Sequence, residues 1–142
     1  MGVALAVLAG GCGGSDAPER SVYADRLAAL CERTRAELEE VGESREIGYE
    51  RWATGTIRVG RRFVRELDRL EPSELERARA KRVRDGFDLY YRGTSFALGL
   101  YRLGETEGFR LNQQRANDIL ERAEEAATQL GAPECAERPF SD

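Results

Sequence analysis

Apolar residues recur at three- and four-residue intervals through most of this chain, and the intervals restart at a few glycines and prolines. Such spacing gathers side chains on one side of an α-helix, so each uninterrupted run predicts one amphipathic helix. The first run, from Ser21 to Val41, puts Tyr23, Ala24, Leu27, Leu30, Cys31, Thr34, Leu38 and Val41 on a single face, and Gly42 suits its end. The second, from about Glu46 to Leu70, aligns Trp52, Val59, Phe63, Leu67 and Leu70. Glu71, Pro72 and Ser73 interrupt it, and Ser73 with Glu76 has the spacing of a capping box that starts a third helix. That helix aligns Ala80, Val83, Phe87, Tyr90, Ala97, Leu98 and Tyr101 and ends near Gly104. The fourth runs from Glu105 or Gly108 to Leu130 with Phe109, Ala116, Ile119, Leu120, Ala123, Ala127 and Leu130 in register, and Gly131 and Pro133 stop it. Short connections between long helices favour antiparallel neighbours, so the expected fold is all-α, an up-down-up-down four-helix bundle over residues 21–142.

The first residues follow a different pattern. MGVALAVLAGGC is apolar and small, and GGSDAPER behind it is polar and glycine-bearing. A membrane-spanning helix needs about 20 apolar residues, so this run is too short to span and fits the apolar region of a signal peptide. Leu8, Ala9, Gly10, Gly11 and Cys12, followed by Gly13, Gly14 and Ser15, resemble the lipobox of bacterial lipoproteins. The resemblance implies cleavage of residues 1–11, lipidation of Cys12, and a tether over residues 12–20. The competing reading is an apolar start with a free thiol.

With Cys12 carrying lipid, Cys31 and Cys135 remain as an even pair in an exported, oxidising setting. An up-down bundle brings the start of its first helix and the end of its fourth to the same end, so the two cysteines are expected to form a disulfide. Two buried thiols are the alternative. The early helical cysteine, the EPSELE stretch at Glu71 to Glu76 and the closing LGAPEC at Leu130 to Cys135 together resemble small lipoproteins of high-GC actinobacteria. That resemblance implies an envelope location and a helical fold, and carries no activity with it.

Composition narrows the chemistry. The chain has 142 residues, room for one core, and its 34% of charged residues suits solvated helix faces. A net charge of −4 with interleaved signs gives no general case for nucleic-acid binding. Histidine is absent, which removes the commonest general base and metal ligand. Adjacent pairs such as Glu39 with Glu40 and Glu124 with Glu125 diverge around a helix, and no serine or threonine has an evident base partner. The expectation is a protein with no catalytic residues, no metal and no cofactor.

Three surface or pocket features remain. Arg51, Arg58, Arg62, Arg65 and Arg69 form a stripe on the second helix, suited to an anionic envelope component or to pairing with Glu32, Glu37, Glu39 and Glu40 of the first. Tyr49, Trp52, Tyr90, Tyr91 and Tyr101 combine apolar bodies with polar tips, as ligand pockets do, and equally serve as core and boundary residues. On the third helix Leu89, Phe96, Leu100 and Leu103 make a second apolar stripe opposite the first, to be covered by the tail with Phe140, a ligand or a partner such as a second copy. Gly86, Gly93 and Gly99 on the same helix would admit another backbone closely. The leading expectation is a non-catalytic interaction module held by its lipid on the outer face of the cytoplasmic membrane, binding an envelope protein or a second copy. The alternative is a small-molecule or lipid-binding bundle with a pocket between the second and third helices, and a purely structural or stress-related envelope protein is a third class.

Overall fold

The computed structural model describes residues 20–137. The lipobox with Cys12, most of the tether, and Phe140 lie outside the described residues. Every regular element among those described is helical: α1 (Val22–Val41), the single turn α2 (Ser44–Ile47), α3 (Tyr49–Leu67), α4 (Arg77–Arg102), α5 (Thr106–Gln129) and a 3₁₀ turn, η1 (Pro133–Ala136). No described helix is long and apolar enough to cross a membrane.

Cross-helix pairs fix the direction of each neighbour. Arg33 meets Glu66 and Arg62 meets Glu37, so α1 and α3 run antiparallel. Asp68 with Arg84 at 2.8 Å, and Glu50 with Arg102 at 2.6 Å, reverse α4 against α3. Gly86 faces Ala123 and Gly93 faces Ala116, which reverses α5 against α4. The bundle is therefore up-down-up-down, with α3 and α4 adjacent in its middle. These exposed ion pairs record register and add little stability.

The α4–α5 contact is the closest, because glycines on one helix meet alanines on the other. A Cβ placed on Gly86 would come within 2.6 Å of the Ala123 Cβ, and one on Gly93 within 3.2 Å of the Ala116 Cβ. Gly99 faces open space, so two of the three glycines expected to admit a neighbouring backbone do so, within the bundle itself. The first and last helices meet differently. Between α1 and α5 backbone contact is at most marginal, and η1 packs on both. Cys135 of η1 is bonded to Cys31 of α1 at 2.05 Å with Cα atoms 5.0 Å apart, as expected from the bundle's ends. Arg20 with Glu134 and Arg35 with Glu137 flank the disulfide.

Several boundaries differ from expectation. The second segment is divided at Gly48, whose φ of 84° lies in the left-handed region that glycine adopts without steric cost. At the third, regular helix begins at Arg77 and not at Ser73. The Glu76 carboxylate accepts from the Ser73 backbone N–H at 3.0 Å, but the Ser73 hydroxyl donates to that same carboxylate at 2.6 Å, so only half of a capping box forms. Tyr101, expected in the core, is exposed and rests on Tyr49 and Phe109.

Candidate binding cavity

Because α1 and α5 stand apart, the bundle holds a cavity of about 410 Å³ that opens to solvent at its rim. That lies within the roughly 300–1,000 Å³ of small-molecule sites. Helix α1 lends it Thr34 and Leu38, α3 lends Tyr49, Trp52 and Thr56, α4 lends Phe87, Tyr90 and Tyr91, and α5 lends Gln113, Asn117, Leu120 and Glu124. The Cys31–Cys135 bridge forms part of the lining.

One wall is aromatic. Phe63 and Phe87 meet edge to face at 4.9 Å, Tyr90 and Tyr91 at 5.1 Å, and Tyr49 lies 5.5 Å from Trp52. Four of the five residues expected to suit a pocket, Tyr49, Trp52, Tyr90 and Tyr91, thus converge, while Tyr101 backs Tyr49 from outside at 5.0 Å. Tyr91 reaches the interior because its ring lies over Gly60. A Cβ on Gly60 would fall 2.1 Å from a Tyr91 ring carbon.

The polar atoms are less well served than the rings. Thr56 is 3% exposed, and its hydroxyl has no hydrogen-bond partner among the described residues. Nor has the Tyr49 hydroxyl, although it lies beside the Gln113 amide. An unsatisfied buried hydroxyl costs about 1–3 kcal/mol. Glu124, 7% exposed, is the buried charged residue of the described chain. Burial, then Tyr90 and Glu124, push the Tyr91 hydroxyl far above its ordinary range, so it stays a neutral donor. Burial likewise raises Tyr49.

Thr56 and Glu124 were missed by sequence reasoning, although a signal existed. Thr56 sits four residues after Trp52 on the apolar face of α3, and Glu124 lies between Leu120 and Ala127 on that of α5. A polar residue inside an apolar stripe is the feature to look for.

The surface candidates fall elsewhere. Arg62 pairs with Glu37, while Arg58, Arg65 and Arg69 are exposed and form no ion pair with another described residue. Leu89, Phe96 and Leu103 are 51%, 61% and 77% exposed, so nothing among the described residues covers them. Leu100 is half-buried, close to Gly108 at the start of α5. Among the described residues no group of three or more His, Cys, Asp or Glu is arranged to hold a metal ion. No protein family matches the chain, and neither a curated protein nor a solved structure is similar to it.

Proposed function

We propose that this chain is a non-catalytic, extracytoplasmic binding protein, tethered through Cys12, that takes a small organic molecule into its bundle. The observation that carries this reading is the orphaned, buried Thr56 hydroxyl facing an aromatic cavity of about 410 Å³. A well-packed core leaves few voids and few unpaired polar atoms. A ligand with a polar edge and an apolar body removes both costs at once. The pocket is deeper than one between two adjacent helices, since α1, α3, α4 and α5 all contribute.

Native mass spectrometry of the folded domain from its exporting host should show a retained small molecule. Asn117→Phe, at the exposed rim, should remove that mass while leaving helical circular dichroism intact. A wild-type domain that retains nothing and binds nothing from an amphiphile panel would defeat the reading. The tether is tested separately: full-length protein should partition into detergent with a diacylglyceryl mass increment, and Cys12→Ala should lose both.

The exposure of Phe96 and Leu103 supports a second reading, in which α4 offers an interaction face to a second copy or an envelope protein. Sedimentation decides it, because Phe96→Glu should turn a dimer into a folded monomer. An unchanged sedimentation coefficient removes this face from consideration. The exposed Arg58, Arg65 and Arg69 offer an anionic component a separate docking stripe on α3.

A further inference from the structure

One sign of charge is concentrated on the outer side of α3. Between Glu50 and Arg69 the chain carries six arginines, all exposed. Arg51, Arg58 and Arg65, seven residues apart, fall within about 40° of one another around the helix, and Arg61 and Arg62 lie to either side of them. Arg69 continues the row just past the helix end. The acidic groups of the same segment do not neutralise it, because each is engaged by a neighbouring helix: Glu50 by Arg102, Glu66 by Arg33 and Asp68 by Arg84. Of the four α1 glutamates expected to pair with the stripe, Glu37 alone does so among the described residues, with Arg62. The guanidiniums of Arg51, Arg58, Arg61, Arg65 and Arg69 therefore form no ion pair with another described residue, on a chain whose net charge is −4.

The row is long and straight. Steps of seven residues put Arg51, Arg58 and Arg65 about 10.5 Å apart, and Arg51 to Arg69 spans about 27 Å. One small anion reaches at most two of these heads, whereas a plane of phosphate groups reaches them all. The row also ends beside the tether, since α3 runs antiparallel to α1 and brings Arg65 and Arg69 to the end of the bundle where Arg20 lies. Arg20 follows Cys12 by eight residues, a reach of up to about 28 Å. A lipid on Cys12 thus keeps the domain close enough to lie along the bilayer. We infer that α3 docks on anionic lipid headgroups, its guanidiniums on their phosphates, so that the bundle rests on the membrane along this helix. This rests on the proposed tether and names the partner of the arginine stripe. The opposite side of α3 lends Tyr49, Trp52 and Thr56 to the cavity, so docking leaves the cavity on the far side of the helix from the lipid.

Vesicle sedimentation of the full chain carrying Cys12→Ala, which has no lipid of its own, tests the face. Vesicles of equal phosphatidylglycerol and phosphatidylcholine should bind it at least tenfold more tightly than phosphatidylcholine alone, and about 0.5 M salt should erase the difference. The apolar start retained in this variant favours neither vesicle, so the ratio reads the charge. Arg58→Glu with Arg65→Glu should bring the ratio toward one while the far-ultraviolet circular dichroism stays helical. Arg110→Glu with Arg115→Glu changes the net charge equally at exposed positions of α5 and should leave most of the ratio. A ratio near one before any arginine is changed, or an equal loss in both double variants, overturns the docking and leaves the tether to its own mass measurement. Release by soluble polyphosphate at a phosphate concentration tenfold below that of the lipid also overturns it, and assigns the stripe to a polyanion in solution. A large ratio beside an unaltered chain that gains no diacylglyceryl mass supports the docking and overturns the tether.

Discussion

Gly60→Ala tests the interior at its tightest point. In an exposed helix this exchange stabilises by about 1 kcal/mol, because glycine surrenders more backbone entropy on folding. Here the added methyl would lie 2.1, 2.3 and 2.4 Å from three ring carbons of Tyr91, which is 6% exposed and rests against Phe63 and Tyr90. Overpacking of this kind costs about 1–3 kcal/mol, so the net change is a loss of up to about 2 kcal/mol. The cause can be isolated with a second substitution. Tyr91→Ala is itself destabilising, by about 3–5 kcal/mol on the scale of buried aromatic truncations, but it removes the atoms that meet the new methyl. In that background Gly60→Ala should turn stabilising, by up to about 1 kcal/mol, giving a coupling energy of about 1–3 kcal/mol. Urea denaturation followed by far-ultraviolet circular dichroism measures all four corners of the cycle. The same sign for Gly60→Ala in both backgrounds would show that Tyr91 does not lie over Gly60, and the aromatic wall would have to be drawn differently.

The glycines of α4 should separate by their surroundings: Gly86→Ala destabilises most, Gly93→Ala less, and Gly99→Ala, with nothing within 4 Å of its new methyl, raises the urea midpoint by an amount worth up to about 1 kcal/mol. Replacing both Cys31 and Cys135 by serine opens a loop with a sequence separation of 104 residues. The entropy released to the unfolded chain corresponds to a loss of about 4.7 kcal/mol and a fall in Tm of about 15–20 °C, and a calorimetric loss below about 1 kcal/mol would contradict the entropic account. Alkaline pH should weaken the fold. Tyr91 stays protonated in the folded state at pH values where the unfolded chain has ionised, so the folded state binds more protons and stability falls as pH rises above about 10. Tyr91→Phe should flatten that alkaline limb of the urea midpoint, leaving the smaller slope due to Tyr23 and Tyr49, whose hydroxyls burial also raises.

The helices were legible because their apolar faces are long and their breaks chemically marked. Leu27, Leu30 and Cys31 on α1, Phe63 and Leu67 on α3, and Ala123 and Ala127 on α5 are buried where their spacing puts them. The error on α4 arose from one step. After Phe87 the apolar spacing allows either Tyr90 or Tyr91, and the buried face continues through Tyr91, Thr94 and Leu98, carrying Tyr101 out to the surface. Following Tyr90 instead gives an equally regular stripe, and only the partner helix, with Gly60 opposite Tyr91, distinguishes the two. The cavity was legible as a list of residues and not as a space. That the Thr56 hydroxyl lacks a partner shows only once the helices are placed, since a polar residue on an apolar face can as readily reach solvent at the edge of the stripe.

The disulfide also governs how the domain answers a pull. Tension entering at Arg20 travels along α1 only as far as Cys31, crosses the sulfur bridge to Cys135, and leaves through the following residues, so the helices between the two cysteines carry none of it. Stretching the ends would withhold a hidden length of about 360 Å, taken from a separation of 104 residues at about 3.5 Å each. A protease that cuts between α3 and α4 meets the same bridge: both fragments stay joined, and the cleft between α1 and α5 keeps its two sides.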